Sequence, residues 1–239
     1  ILALTFTNKA AREMKSRIET IIGRDARYLN MGTFHSIFSH ILRVEAQHIG
    51  FNPQFTIYDQ ADSRSLVKAI IKEMGLDEKQ YKPATVADRI SMAKNHLITA
   101  FQYANSGEAI TTDMQRRMPS IKDIYLKYAE RCKQANAMDF DDLLLQTYLL
   151  FEKHEDIRRK YVERFEYVLV DEYQDTNSAQ QAIIYQLTKE RQKVCVVGDD
   201  AQSIYSFRGA NIDNILSFQK TYDDTRLYKL EQNYRSTQN

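Results

Sequence analysis

The sequence predicts an α/β protein, a doubly wound parallel sheet interrupted by an all-helical insertion. Short apolar, β-branched runs such as Val168-Leu169-Val170 and Val194-Cys195-Val196-Val197 read as strands at the buried centre of a parallel sheet. Helical patterns alternate with such runs at both ends of the chain. That alternation lapses between residues 51 and 136, where amphipathic helices follow one another without a strongly hydrophobic strand.

Taken in order, residues 1–5 form the first expected strand. Asn8 to Ile22 follow as a helix, with Ala11, Met14 and Ile18 at helical spacing and Gly23 as its stop. The turn around Thr33-Phe34-His35-Ser36 leads into a helix carrying Ile37, Phe38, Ile41, Leu42 and Ile49, closed by Gly50. Within the insertion the clearest helix carries Leu66, Val67, Ile70, Ile71 and Met74 and ends at Gly75, and another starts at Ser120. Residues 103–118 are its least regular part and are expected to include a mobile loop. Asp139 or Asp141 caps a helix bearing Leu143, Leu144, Tyr148 and Phe151. The α/β alternation then resumes as strand 166–170, helix 178–189, strand 194–198, helix 211–220 and strand 226–230.

With 43% hydrophobic residues in 239, the chain has ample material for a packed core. The longest apolar runs fall far short of the roughly 20 residues that span a bilayer, so the expected location is cytoplasmic. Cys132 and Cys195 are the only cysteines, which encodes neither a disulfide framework nor a zinc site, and Cys195 reads as a small hydrophobe in a buried strand. A net charge of +1 gives no global signal for nucleic acid. Basic residues do collect in the first fifty positions, at Lys9, Arg12, Lys15, Arg17, Arg24, Arg27 and Arg43, whereas 166–185 carries acids only. Because the chain opens already strand-like and without an initiator Met, it reads as a segment of a longer polypeptide.

The chemistry concentrates where the apolar strands stop. Val168-Leu169-Val170 runs straight into Asp171-Glu172, and ligands in parallel sheets bind beyond the carboxyl ends of the strands. Nucleotide-bound magnesium takes only one or two protein carboxylates, which suits Asp171 at the tip of a rigid strand. Glu172, pointing the other way, is placed to act as base or orienter for a water attacking a terminal phosphate. Gln202 follows the next strand and could reach the same phosphate. Beyond it, Tyr205, Phe207 and Arg208 form a set suited to stacking on unpaired bases. Taken singly, each of these residues is equally at home in a loop or on a surface.

As a set they are more specific. The blocks ILALTFTNKAAREMK at the start, GTFHS at 32–36, VLVDEYQDTN at 168–177, VVGDDAQSIYSFRGA at 196–210 and LEQNYRST at 230–237, with MDFDDLL at 138–144, resemble the UvrD/Rep/PcrA branch of superfamily 1 DNA helicases. That resemblance implies a RecA-like P-loop NTPase sheet with an inserted helical domain. The implied division is core residues 1–36, a helical accessory domain at 37–136 and core residues 137–239. It also implies ATP and Mg2+ as cofactors, single-stranded DNA and single-strand/duplex junctions as substrates, 3′ to 5′ polarity and repair or replication proteins as partners.

By the same resemblance, Asp171 and Glu172 match the magnesium-binding and catalytic acids, and Gln202 a glutamine linking the terminal phosphate to DNA-binding elements. Arg235 matches an arginine on that phosphate, and Tyr234 a tyrosine that stacks on adenine. Phe6, Thr7, Asn8, Thr33, His35, Tyr205, Phe207 and Arg208 match positions along single-stranded DNA. Phe207 stands where the family usually has tryptophan, which keeps a stacking face but a smaller one. The glycine-rich loop G-x-x-x-x-G-K-[ST] is not among these residues. The family carries it upstream, so the segment alone is expected to be inactive. A motor subunit of a recombination helicase-nuclease, or a binding module without turnover, are the alternatives.

Overall fold

The structure, a computed structural model, describes residues 1–199 and 217–229. Its centre is a parallel sheet of β1 (Leu2–Thr5), β2 (Asn30–Thr33), β5 (Val168–Val170) and β6 (Val194–Val196), in the order β2-β1-β5-β6. The run Leu2-Ala3-Leu4 is almost fully buried, as an interior strand of a parallel sheet requires. Register sets Leu4 beside both Gly32 and Val170, so the carboxyl ends of β1, β2 and β5 finish level with one another.

The helices follow the sequence pattern with informative departures. Helix α1 (Asn8–Ile22) begins behind Thr7, whose Oγ1 accepts the Ala10 N–H at 3.1 Å, and stops at Gly23 with φ 62°. Its apolar stripe is only partly covered, and none of its residues is buried. Helix α2 (Phe34–Val44) buries Phe34, Phe38, Ile41 and Leu42, and a 3-10 turn over Ala46–Ile49 ends in the left-handed Gly50. The sheet's other main supports are α8 (Phe140–Lys153), α9 (Glu155–Arg164) and α10 (Ser178–Thr188).

Between them lie α3 (Gln60–Glu73), α4 (Pro83–Asn95), α5 (Ala100–Ala104), α6 (Gly107–Gln115) and α7 (Ile121–Gln134). Two apolar clusters result. Leu2, Leu4, Phe38, Phe55, Leu144, Val168, Val170 and Ile184 belong to the one around the sheet. Val67, Ile70, Ile71, Ile90, Ile124, Tyr125 and Tyr128 belong to the second, which is built by the helices. Phe38, Ile41, Leu42 and Phe55 fall inside the range 37–136 yet pack with the sheet.

Four expectations are corrected. Residues 107–115, within the stretch expected to be least regular, form α6, capped by the Ser106 side chain on the Ala109 N–H at 3.2 Å. Its sequence carries no clear apolar stripe because α6 is tied by polar contacts: buried Asp113 accepts from Tyr103 Oη at 2.7 Å and pairs with Arg89 at 3.3 Å. The region also holds a strand, β3 (Thr56–Tyr58), paired in parallel with β4 (Ala137–Asp139), and segments of three residues are too short for a periodic signal. Cys195 is exposed because β6 is the outermost described strand, and Leu169 is 40% exposed, so burial of β5 is complete on one face only. Residues 226–229, the described part of the expected strand 226–230, have no regular structure.

Candidate functional site

Strand β5 delivers Asp171 to the carboxyl edge of the sheet, where its N–H donates to the Leu4 carbonyl of β1 at 3.0 Å. The Asp171 carboxylate is exposed and accepts the Glu172 N–H at 3.0 Å on Oδ1. Glu172 itself takes the left-handed conformation, φ 51° and ψ 44°, which costs a residue with a Cβ roughly 1–2 kcal/mol. That turn breaks the strand direction and starts the 3-10 segment Tyr173–Asp175. Strain of this kind collects at functional sites, where the surroundings hold it in place.

The surroundings here are explicit. Tyr173 is buried, its N–H donates to Val197 O at 2.9 Å, and its ring meets Phe218 edge-on at 5.6 Å. Gln174 is buried too and donates from Nε2 to Glu172 Oε2 at 2.7 Å. Thr176 Oγ1 donates to Tyr173 O at 2.6 Å, and Asn177 caps α10 by accepting the Gln180 N–H at 2.9 Å. Burial first, and then the Glu172 charge, raise the Asp175 carboxyl above its ordinary range.

The nucleic-acid candidates of the first two strands occupy the same edge. Phe6, Thr7 and Asn8 follow directly on β1, while Thr33 ends β2 and His35 lies in the first turn of α2. Phe6 is half-buried with its ring 5.5 Å from Phe34. Thr7 and Asn8 are exposed, whereas Thr33 is buried and spends its Oγ1 on the Ser36 N–H at 3.2 Å. A Cβ at Gly32 would meet Ser36 Oγ at 2.6 Å, so a larger residue there would displace the Ser36 hydroxyl. The His35 ring stands edge-on to Phe140 at 5.5 Å, and Phe140 is 50% exposed. Phe140, in the MDFDDLL block, is an aromatic on this edge that sequence reasoning did not single out. Gln202, Tyr205, Phe207, Arg208, Tyr234 and Arg235 lie outside the described residues.

A magnesium-nucleotide fits what is present. One exposed carboxylate at a strand tip is the donor expected of an ion that keeps most of its waters. No group of three or more His, Cys, Asp or Glu able to hold a metal occurs among the described residues. Thr5, at the end of β1, adds a buried Oγ1 without a hydrogen-bond partner among the described residues.

In parallel α/β sheets ligands bind beyond the carboxyl ends of the strands, and here that level edge carries the acidic pair. Comparison with known proteins narrows this. The family model for the UvrD/REP helicase N-terminal domain matches residues 1–223, and the chain belongs to that family. Its sheet with inserted helices is accordingly a RecA-like helicase fold. The chain is 44% identical over 237 residues to the ATP-dependent DNA helicase PcrA of Bacillus subtilis (strain 168), covering 99% of this chain and 31% of that protein. It is 46% identical over 247 residues to the ATP-dependent DNA helicase UvrD1 of Mycobacterium tuberculosis (strain ATCC 25618 / H37Rv), covering 100% of this chain and 32% of the relative. PcrA of Staphylococcus aureus (strain Mu50 / ATCC 700699) is 43% identical over 237 residues, with 99% and 32% covered. The chain thus spans about a third of the length of these curated relatives.

Proposed function

We propose that this chain is the first motor portion of a longer ATP-dependent DNA helicase that moves 3′ to 5′ along single-stranded DNA and opens duplex at the junction. The observation that carries the reading is the shared edge: the acidic pair at the end of β5 lies level with the DNA candidates at the ends of β1 and β2. Asp171 would hold the Mg2+ of bound ATP, which would supply charge neutralisation on the phosphates. Glu172 orients the attacking water and takes its proton. Gln202 and Arg235 meet the terminal phosphate, and Tyr234 stacks on the adenine. Phe6, Thr7, Asn8, Thr33, His35, Tyr205, Phe207 and Arg208 line the strand, with Phe140 edge-on beside His35.

The proposed division is core 1–36, a helical accessory unit at 37–136 and core 137–239. A cytoplasmic location and repair or replication partners complete the proposal, and no helix of the described residues is long and apolar enough to cross a membrane. By itself the 239-residue chain does not hydrolyse ATP, because the phosphate-cradling G-x-x-x-x-G-K-[ST] pattern is absent from it. The test is strand displacement by the full-length protein on duplexes with a 3′ or a 5′ single-stranded tail. ATP-dependent unwinding of the 3′-tailed duplex is expected. Unwinding only from the 5′ tail, or none from either with ATP, contradicts the reading, as does DNA-stimulated ATP turnover by the isolated chain.

A further inference from the structure

Gln174 stands between two parts of the site that the chain keeps apart in sequence. Its side chain is 2% exposed and uses both ends of the amide. Nε2 donates to Glu172 Oε2 at 2.7 Å, and Oε1 accepts the Asp199 backbone N–H at 3.1 Å. The orientation of the amide follows from its partners, since a carboxylate only accepts and a backbone N–H only donates. Asp199 lies just past β6, a few residues before Gln202. The loop after β5 and the end of β6 are also joined through backbone, Val197 N–H to Val170 O at 2.8 Å and Tyr173 N–H to Val197 O at 2.9 Å. These backbone bonds fix the two loops beside each other. Among the described residues, the Gln174 side chain carries that link as far as the Glu172 carboxylate.

We propose that Gln174 is a positioning residue that fixes the Glu172 carboxylate relative to the backbone at Asp199, so that a shift of the chain at the end of β6 is felt as a reorientation of the hydrolytic acid. The proposal rests on the reading of Glu172 as the base for ATP hydrolysis. It follows from the inventory of side chains. Glutamine satisfies both partners at once, glutamate keeps only the acceptor for Asp199, and methionine keeps the volume but neither bond. The left-handed turn at Glu172 makes the need for such a tether plain, because this backbone conformation is not one the residue adopts unaided.

The experiment uses the full-length protein with ATP, Mg2+ and a single-stranded oligonucleotide, comparing wild type, Gln174→Met, Gln174→Glu and Glu172→Gln. In both Gln174 variants the DNA-stimulated kcat is expected to fall about 10–100-fold, the usual effect of removing a group that orients a reacting one. KM for ATP and Kd for the oligonucleotide should stay within about twofold, which separates positioning from binding. Amide hydrogen exchange in the peptide that ends β6 should speed up in Gln174→Met and stay at the wild-type rate in Gln174→Glu, which retains the acceptor. The proposal is overturned by a wild-type kcat in either variant, or by oligonucleotide affinity falling in step with kcat. Should one variant fail to fold, the other carries the test. Glu172→Gln turning over like wild type sinks the functional reading beneath. Lost turnover in Glu172→Gln beside wild-type rates in the Gln174 variants sinks this proposal alone.

Discussion

At the scale of single residues, the site is a set of side chains whose neighbours leave them few alternatives. Asn177 shows this well: it caps α10 through Oδ1, its Nδ2 donates to Asn95 Oδ1 at 2.6 Å, and it is buried. Asn177→Ala should cost about 1–2 kcal/mol of unfolding free energy, from the lost cap and the unsatisfied Asn95 carbonyl, read by denaturant titration. A change below the error of the titration would mean that the cap is replaced by solvent. The position of Asp171 was legible in the sequence because it directly follows an apolar run that reads as a buried strand, which puts the acid at the strand's end. The left-handed turn at Glu172 was not, since nothing in its side chain announces a positive φ. Nor was the double use of Gln174, which depends on Asp199 arriving from another strand.

At the scale of elements, α4 is joined to the start of α8 by buried charge. Lys94 Nζ lies 2.7 Å from Asp139 and 2.8 Å from Asp142, and Tyr128 Oη donates to Asp139 at 2.7 Å. Burial lowers the Lys94 pKa, but the Asp139 and then Asp142 carboxylates outweigh it and hold the ammonium well above its ordinary value. Burial works against ionised Asp139 as well, yet Lys94 keeps that carboxyl below its usual range. One ammonium does not neutralise two acids, and burial followed by the Asp139 charge pushes Asp142 up to about 7. Lys94→Met leaves those acids without their cation and should destabilise by about 3–5 kcal/mol, read by denaturant titration.

The sign of the pH effect follows. Between the ordinary carboxyl value of about 4 and about 7, native Asp142 keeps a proton that the unfolded chain releases, so on its account stability falls as pH rises. Asp141 is shifted in the same direction, by burial and then by Asp139. Asp142→Asn should therefore flatten the decline in unfolding free energy across that window, and equal slopes in variant and wild type would contradict the assignment. The capping role of Asp139 was legible as one of two choices. The partnership with Lys94 was not, because its members are 45 residues apart and charged residues are expected outside.

At the scale of the whole molecule, the sequence carried the parallel sheet and the helical interruption. Long apolar periodicities survive any context, whereas β3, β4 and α6 depend on partners elsewhere in the chain. Where the insertion begins was less legible: α2 follows the helical pattern of the interruption, yet its apolar face turns to the sheet. The separate helical cluster should open as a unit. Ile124→Ala, at a fully buried position, should cost about 2–5 kcal/mol and speed amide exchange across α3, α4 and α7 while leaving β1 and β5 protected. Exchange that rises equally in the sheet would show one cooperative unit instead. The central claim remains that the acidic pair at the end of β5 is the hydrolytic centre of a DNA-dependent motor. The most direct measurement is steady-state ATP turnover by full-length wild type and Glu172→Gln, with saturating single-stranded DNA and DNA affinity measured in parallel. The account predicts a loss of about 10²–10⁴-fold in turnover with DNA binding retained, and turnover unchanged by Glu172→Gln would contradict it.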